Sequence, residues 1–270
     1  MTHPFDGVST LEEEPVARGA PPLRGIRAAF VFLTRVPVGG FPYRRVDFEW
    51  AAAHAPFVGL VLGIALGVLD RLLLPIGALP AALLVMGASL LLTGAFHEDG
   101  LADTSDALGG GRDAAHVLAI LKDSRIGSFG GAALVVSIAS RAALLAELGS
   151  SGLWALPLVG CAARVGPIWL MATLPYISGP QGKSDGVAGA RLPHAIVATA
   201  WFAAAASTAV GMDFVSSWRI AGLVTTLAAL TSLTGWRYRR RLRGVTGDFL
   251  GATEQLGEIA ALAVLAWKVT

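Results

Sequence analysis

The chain has 270 residues, 54% of them hydrophobic and 15% charged, with a mean hydropathy of +0.63 and a net charge of +2. Soluble domains carry about 25% charged residues, so these are too few to clothe a soluble surface of this size, and most of the chain faces an apolar medium. The one cysteine, Cys161 in an apolar run, excludes an internal disulfide and a cysteine-based zinc site.

Residues 1–24 include Glu12, Glu13, Glu14, Pro15, Pro21 and Pro22 and have no apolar core. They read as a disordered cytoplasmic tail rather than a signal peptide. Residues 26–36 (IRAAFVFLTRV) are too short to cross a bilayer and carry Arg27 and Arg35 at their ends, which predicts an interfacial helix. Seven candidate spans follow, at 51–74, 79–96, 130–148, 153–174, 194–212, 220–234 and 256–269. They are rich in Ala, Leu and Gly and show no strand-type alternation, so helices are expected rather than a barrel. The prediction is an all-α fold: a polytopic membrane helix bundle of about seven transmembrane helices plus a short N-terminal interfacial helix. Residues 25–270 would form a single integral-membrane catalytic domain. In the first span Gly59, Gly63 and Gly67 repeat every fourth residue, a small-residue stripe for close helix packing.

With the N-terminus in the cytoplasm, the inner segments 1–50, 97–129, 175–193 and 235–255 hold sixteen of the 21 Lys and Arg residues, and the outer turns hold only Arg219. This bias supports that orientation. All long polar loops then share one face, as suits an enzyme acting from the cytoplasm more than a channel or transporter. Arg141 and Arg164 fall near mid-depth of their spans, where an ionisable group faces a cavity or a partner. Asp70 and Arg71 lie near an outer boundary, where they pair or snorkel.

The stretch 97–111, HEDGLADTSDALGGG, is the most informative. Asp99, Asp103 and Asp106 are spaced i, i+4, i+7 and share one helical face, continuing an apolar helix without a break. Like charges so placed call for a cation, and oxygen-only ligands suit Mg²⁺ or Mn²⁺. His97 is a further ligand or proton-shuttle candidate, though a lone His is more often structural. Gly109 and Gly110, with Gly111, form either a turn or a surface that backbone can press against a phosphate. A short amphipathic helix over 113–121 leads to Lys122, Asp123 and Arg125, either a basic anchor or a pair of cations holding an anion. Later, Thr246 and Gly247 form a cap and turn before Asp248, and Glu254 and Glu258 enter the last span. Acids entering a span are costly without a purpose, so Asp248 and Glu254 are site candidates.

Three blocks, FHEDGLADTSDALGGGR, LKDSRIGSFG and GVTGDFLGATEQLGE, resemble the signatures of the cobalamin synthase (adenosylcobinamide-GDP ribazoletransferase) family. FLTRVPV at 32–38 and PFVGLVLG at 56–63 resemble its N-terminal signatures, and the likeness covers about residues 25–265. Tyr176, Ile177 and Ser178 depart from the family pattern, which has a basic group there. The resemblance implies a Mg²⁺-dependent, multi-pass enzyme of the inner (plasma) membrane with its active site facing the cytoplasm. It would join adenosylcobinamide-GDP to α-ribazole, or its 5′-phosphate, releasing GMP as the last step of the nucleotide-loop pathway. Asp99, Asp103 and Asp106 would hold the metal. Lys122, Arg125 and Arg164 would hold phosphate oxygens, with Gly109, Gly110 and Asp248 as further substrate contacts. Asp123 or Asp106 would accept the proton of the attacking hydroxyl. No nucleic-acid partner is expected, and a homo-oligomer stays open. The rival enzyme class is the CDP-alcohol phosphotransferases, but Asp103 stands where their motif has Arg. A cation transporter fits less well, since the deep charges Arg141 and Arg164 have the wrong sign.

Overall fold

Away from their ends, helices satisfy their backbone amides within their own segment, as an apolar medium demands. The computed structural model describes residues 22–38, 48, 50–177 and 189–268, and among these every extended element is a helix. The helices are α1 (Pro22–Leu33), α2 (Ala55–Leu73), α3 (Ala78–Thr93), α4 (Phe96–Gly110), α5 (Ala114–Ile120), α6 (Ser128–Leu148), α7 (Gly152–Ala163), α8 (Val165–Thr173), α9 (Leu192–Gly211), α10 (Ser217–Leu242) and α11 (Gly247–Ala266). The tail expected over 1–24 lies outside the described residues except for the start of α1. That helix has 12 residues, too short to cross, and buries Ala28, Ala29 and Leu33.

The polytopic bundle is borne out, but a count of seven spans is not confirmed. By length and apolarity four stretches could cross a membrane: Ala52–Ile76, Ser128–Thr173, Leu192–Gly211 and Gly247–Ala266. The bent pair α3 and α4 would make a fifth. The boundaries also differ from the sequence reading. The apolar helix expected to run unbroken into the acidic stretch stops at Thr93, and α4 leaves it at 94°. The span expected at 153–174 breaks at Arg164. Pro167 has no N–H to offer the preceding turn, and its ring crowds that turn's carbonyls. The two short spans lengthen: α10 reaches 26 residues, and α11 starts at Gly247 rather than 256 because its polar first half is buried against other helices.

Contacts along α11 reveal how the chain folds back. Lys268 pairs with Glu147 near the end of α6, whereas Arg164, at the end of α7, pairs with Glu254 and Glu258. Helix α6 therefore runs parallel to α11 and α7 returns antiparallel. At one end of the bundle Arg241 donates to the Gly111 carbonyl, and Val245 exchanges backbone hydrogen bonds with Pro175 and Ile177. At the other end Asp70 lies against Gly152 at the start of α7, where the helix N-terminus favours a carboxylate, and Arg219 caps the carbonyls of Leu265 and Trp267. The polar connections at 111–127, 174–177 and 243–246 thus share one end.

The glycine stripe lets α2 and α7 touch backbone to backbone. A Cβ on Gly59 would overlap Gly160, one on Gly63 would overlap Leu156 and Pro157, and one on Gly67 would approach the Leu153 carbonyl to 2.7 Å. Gly63→Leu should destabilise the protein by about 1–3 kcal/mol or more, since backbone cannot yield as a side chain does. Thermal unfolding in detergent measures this, with Gly87→Leu, where a Cβ meets no atom within 4 Å, as the neutral control.

Candidate active site

The acidic helix owes its direction to two consecutive residues in the left-handed region, Gly94 (φ 69°) and Ala95 (φ 57°). Gly94 ends α3, and the Arg35 side chain lies across it where a Cβ would sit. Ala95 adopts a conformation that costs an L-residue roughly 1–2 kcal/mol, which the surrounding packing holds in place. The turn aims α4 across α11. The two helices meet at Gly100 and Gly251, and a Cβ on Gly100 would come within 3.1 Å of Asp248 Cα. Asp248 therefore stands beside Gly100, between the turns that carry Asp99 and Asp103. Thr246 caps α11 as the sequence suggests, accepting from Phe249 N–H at 3.3 Å. Asp99 is exposed, while Asp103 and Asp248 are half-buried.

Asp106 has a defined structural partner. Its Oδ2 accepts from Gly127 N–H at 2.7 Å and its Oδ1 from Gly130 N–H at 2.8 Å. It thereby caps the start of α6 and ties the loop carrying Lys122, Asp123 and Arg125 to the acidic helix. Asp113 caps α5 in the ordinary way, accepting from His116 N–H at 2.9 Å. Asp123 and Arg125 pair with each other at 2.6 Å on the surface, and Lys122 is exposed. The hydrogen bonds from Arg125 hold the Asp123 carboxyl down at about 2. Asp123 is thus a weak base near neutral pH. Gly109 and Gly110 close the last turn of α4 rather than forming a loop, and Gly109 makes room for the Phe129 ring.

Beneath the acidic face runs a buried ladder of alternating charge. Glu98 accepts from Arg141 at 3.0 Å, and Arg141 also donates to Glu258 at 2.8 Å. Glu258 lies 3.5 Å from Arg164, which reaches Glu254 at 2.9 Å and donates to the Gly160 carbonyl at 2.8 Å. His97 Nδ1 stands 3.4 Å from Glu254. Arg141 is 2% exposed, Arg164 5% and Glu254 1%. Arg164, expected at a phosphate, is therefore engaged in the core by two glutamates. The ladder joins α4, α6, α7 and α11 at one depth.

Residues 25–266 match the family described as cobalamin-5-phosphate synthase. The chain belongs to that family. No solved structure matches it. Among its relatives are proteins named adenosylcobinamide-GDP ribazoletransferase. The one from Rhizobium johnstonii is 38% identical over 251 residues, covering 88% of this chain and 94% of the relative. The one from Polaromonas sp. is 35% identical over 263 residues, covering 86% and 92%. The one from Rhizobium etli (strain CIAT 652) is 37% identical, covering 88% and 94%.

For this member of the cobalamin-5-phosphate synthase family, the structure gathers Asp99, Asp103, Asp106 and Asp248 around one stretch of α4 and ties the Lys122–Arg125 loop to it. Among the described residues no three His, Cys, Asp or Glu side chains converge in a metal-centre arrangement. The ladder's pairings escaped the sequence reading, although their members carried a signal. Glu254 and Glu258 sit one helical turn apart on the α11 face that also presents Gly251, and two arginines lie deep in apolar helices. Two predictions follow from these contacts. Asp106→Ala should destabilise the protein by about 1.5–3 kcal/mol, the worth of amide bonds to a charged acceptor, and should speed tryptic cleavage at Lys122 and Arg125. Arg141→Met leaves buried carboxylates without their cation and should cost about 3–5 kcal/mol. Adding Glu98→Gln should restore part of that loss in the same unfolding assay.

Proposed function

We infer that this protein is an adenosylcobinamide-GDP ribazoletransferase. It transfers the adenosylcobinamide phosphate group to α-ribazole or its 5′-phosphate, giving adenosylcobalamin or its phosphate and GMP in cobalamin biosynthesis. The match to the family over residues 25–266 carries this reading, with relatives of that name aligned over nearly their whole length. The polar connections gathered at one end support an enzyme worked from a single face of the membrane. We take that face to be cytoplasmic and the membrane to be the inner one, on the arginine bias of the sequence, with residues 25–270 as one catalytic domain.

The reaction makes one P–O bond and breaks another. A ribose hydroxyl attacks the phosphorus attached to cobinamide, and the diphosphate bridge leaves with GMP. The donor chemistry of the acidic face fits Mg²⁺, because that ion commonly takes only one or two carboxylates together with substrate phosphates and water. Asp99 and Asp103 would hold it, with Asp248 at their side. When bound, it would neutralise the diphosphate and stabilise the departing GMP. Asp106 contributes by fixing the loop against this face, so that Lys122 and Arg125 reach the phosphate oxygens. Asp123 orients Arg125 and is a poor proton acceptor.

The test is GMP release by the purified protein in vesicles from the two substrates. Asp99→Asn and Asp103→Asn should insert and fold normally yet lose at least about 100-fold in kcat, in line with removal of a charge-stabilising group. Chelation should abolish the parent activity and added Mg²⁺ restore it. Full activity in both variants would remove the acidic face from the chemistry.

A further inference from the structure

Helices α9 and α10 meet near one end of the bundle, where Phe202, Ala206, Ala209, Val215 and Leu223 share a cluster. Toward the end that carries the polar connections they part, and each packs on α8, which floors the gap between them. The gap is a groove with a cavity volume of about 670 Å³. It opens on the outer surface of the bundle, where Val224 and Trp236 are 47% and 52% exposed. None of its lining residues belongs to α4 or α11, so it stands apart from the acidic face.

The groove is apolar in effect as well as in composition. Leu170, Phe202, Val224 and Leu227 supply much of its wall. Its hydroxyls are turned back on their own helices: Thr173, Thr199 and Ser232 each donate to the carbonyl four residues earlier, at 2.7–2.8 Å. The Trp169 indole N–H donates to Thr199 at 3.0 Å. A nucleoside would find few partners for its own donors and acceptors along such a wall, and unmet polar groups weaken binding. An acyl chain has none to meet. A transmembrane helix, about 10 Å across and 30 Å long, is too large to enter.

At the polar end the character changes. Trp236 and Arg239 line the groove there, and Arg240 lies over the Trp236 ring at 5.1 Å. Arg239 is exposed and forms no ion pair among the described residues. No acidic residue stands between Thr231 and Gly247 to neutralise this stretch. A tryptophan at the depth of lipid headgroups and a fork of guanidinium donors beside it suit a phosphate.

We propose that the groove is a binding site for an anionic phospholipid. One acyl chain lies on α8 between α9 and α10, and Arg239 holds the headgroup phosphate beside Trp236. The chain fills space in which the facing side chains of α9 and α10 would otherwise lack contacts. The remaining arginines of the stretch favour a headgroup of net negative charge over a zwitterionic one.

The experiment titrates the delipidated full chain, in mild detergent, with phosphatidylglycerol or with phosphatidylcholine of the same acyl chains, and reads lipid binding by native mass spectrometry. Phosphatidylglycerol should bind one per chain, at least about fivefold more tightly than phosphatidylcholine. Arg239→Gln should remove that preference. Arg237→Gln, which loses the same charge from an exposed residue outside the groove, should stay within about twofold of the parent. Ala228→Phe puts bulk into the groove and should weaken both lipids by about fivefold or more. Val224→Trp takes its place if that variant does not elute as a single species. Inorganic phosphate in excess should displace no lipid. The proposal is overturned if the parent does not prefer the anionic lipid, or if Arg239→Gln and Arg237→Gln lose affinity alike, which would mark a diffuse charge effect. It is also overturned if a well-folded groove-filling variant binds both lipids as the parent does. Displacement of the lipid by inorganic phosphate, or by α-ribazole, would overturn it as well, assigning the site to a free anion or to the acceptor.

Discussion

The constraint on which the rest of this molecule depends is the pairing of two deeply buried arginines. Arg141 and Arg164 sit in helices whose other residues are almost entirely apolar. A guanidinium there is tolerable only beside carboxylates, and removing one partner of such a pair exposes the full cost of an unpaired buried charge. The glutamates that answer them come from α4 and α11. The pairing therefore fixes the depth at which the acidic helix crosses the bundle, as well as the register of α11 against α6 and α7. A one-turn shift of α11 would separate its three rungs to Arg141 and Arg164, and a one-turn shift of α4 would separate the rung between Glu98 and Arg141.

Two further devices place the chemistry on that frame. Close backbone contacts at Gly59, Gly63 and Gly67 lock α2 to α7, and a similar contact at Gly100 and Gly251 brings Asp248 to the acidic helix. The left-handed turn at Gly94 and Ala95 then sends α4 across the bundle rather than on through it. Asp106 completes the arrangement by trading a place in the acidic row for two amide hydrogen bonds at the start of α6. One row of aspartates thus divides its labour. Asp99 is exposed and Asp103 half-buried, while Asp106 holds the basic loop.

The arrangement suits a reaction in which charge management outweighs covalent chemistry. Cys161 is buried in the core, and a thiol so placed is a packing group rather than a nucleophile. Phosphoryl transfer of this kind asks for positioning and for compensation of the diphosphate's charge. In the proposed mechanism the acidic face and the tethered basic loop would supply both. Gathering the polar connections at one end would suit two large polar reactants arriving from one compartment, while the apolar helices hold the frame.

How much of this could be read from the sequence follows from the range of the interactions involved. Local pattern sufficed for the helical membrane class, the glycine stripe, the Thr246 cap and the common face of Asp99, Asp103 and Asp106, because each depends on residues a few positions apart. The break at Gly94 and Ala95 was hidden, since the hydropathy of 79–96 runs on smoothly and an alanine does not announce positive φ. The second role of Asp106 was hidden as well, because its partners Gly127 and Gly130 lie more than twenty residues away. Sequence alone determined which charges are embedded in apolar helices and must therefore find partners. Only the tertiary structure decided which partners they take, because Arg141 meets Glu98 and Glu258 across 43 and 117 residues of chain, a choice made by helix packing and not by spacing.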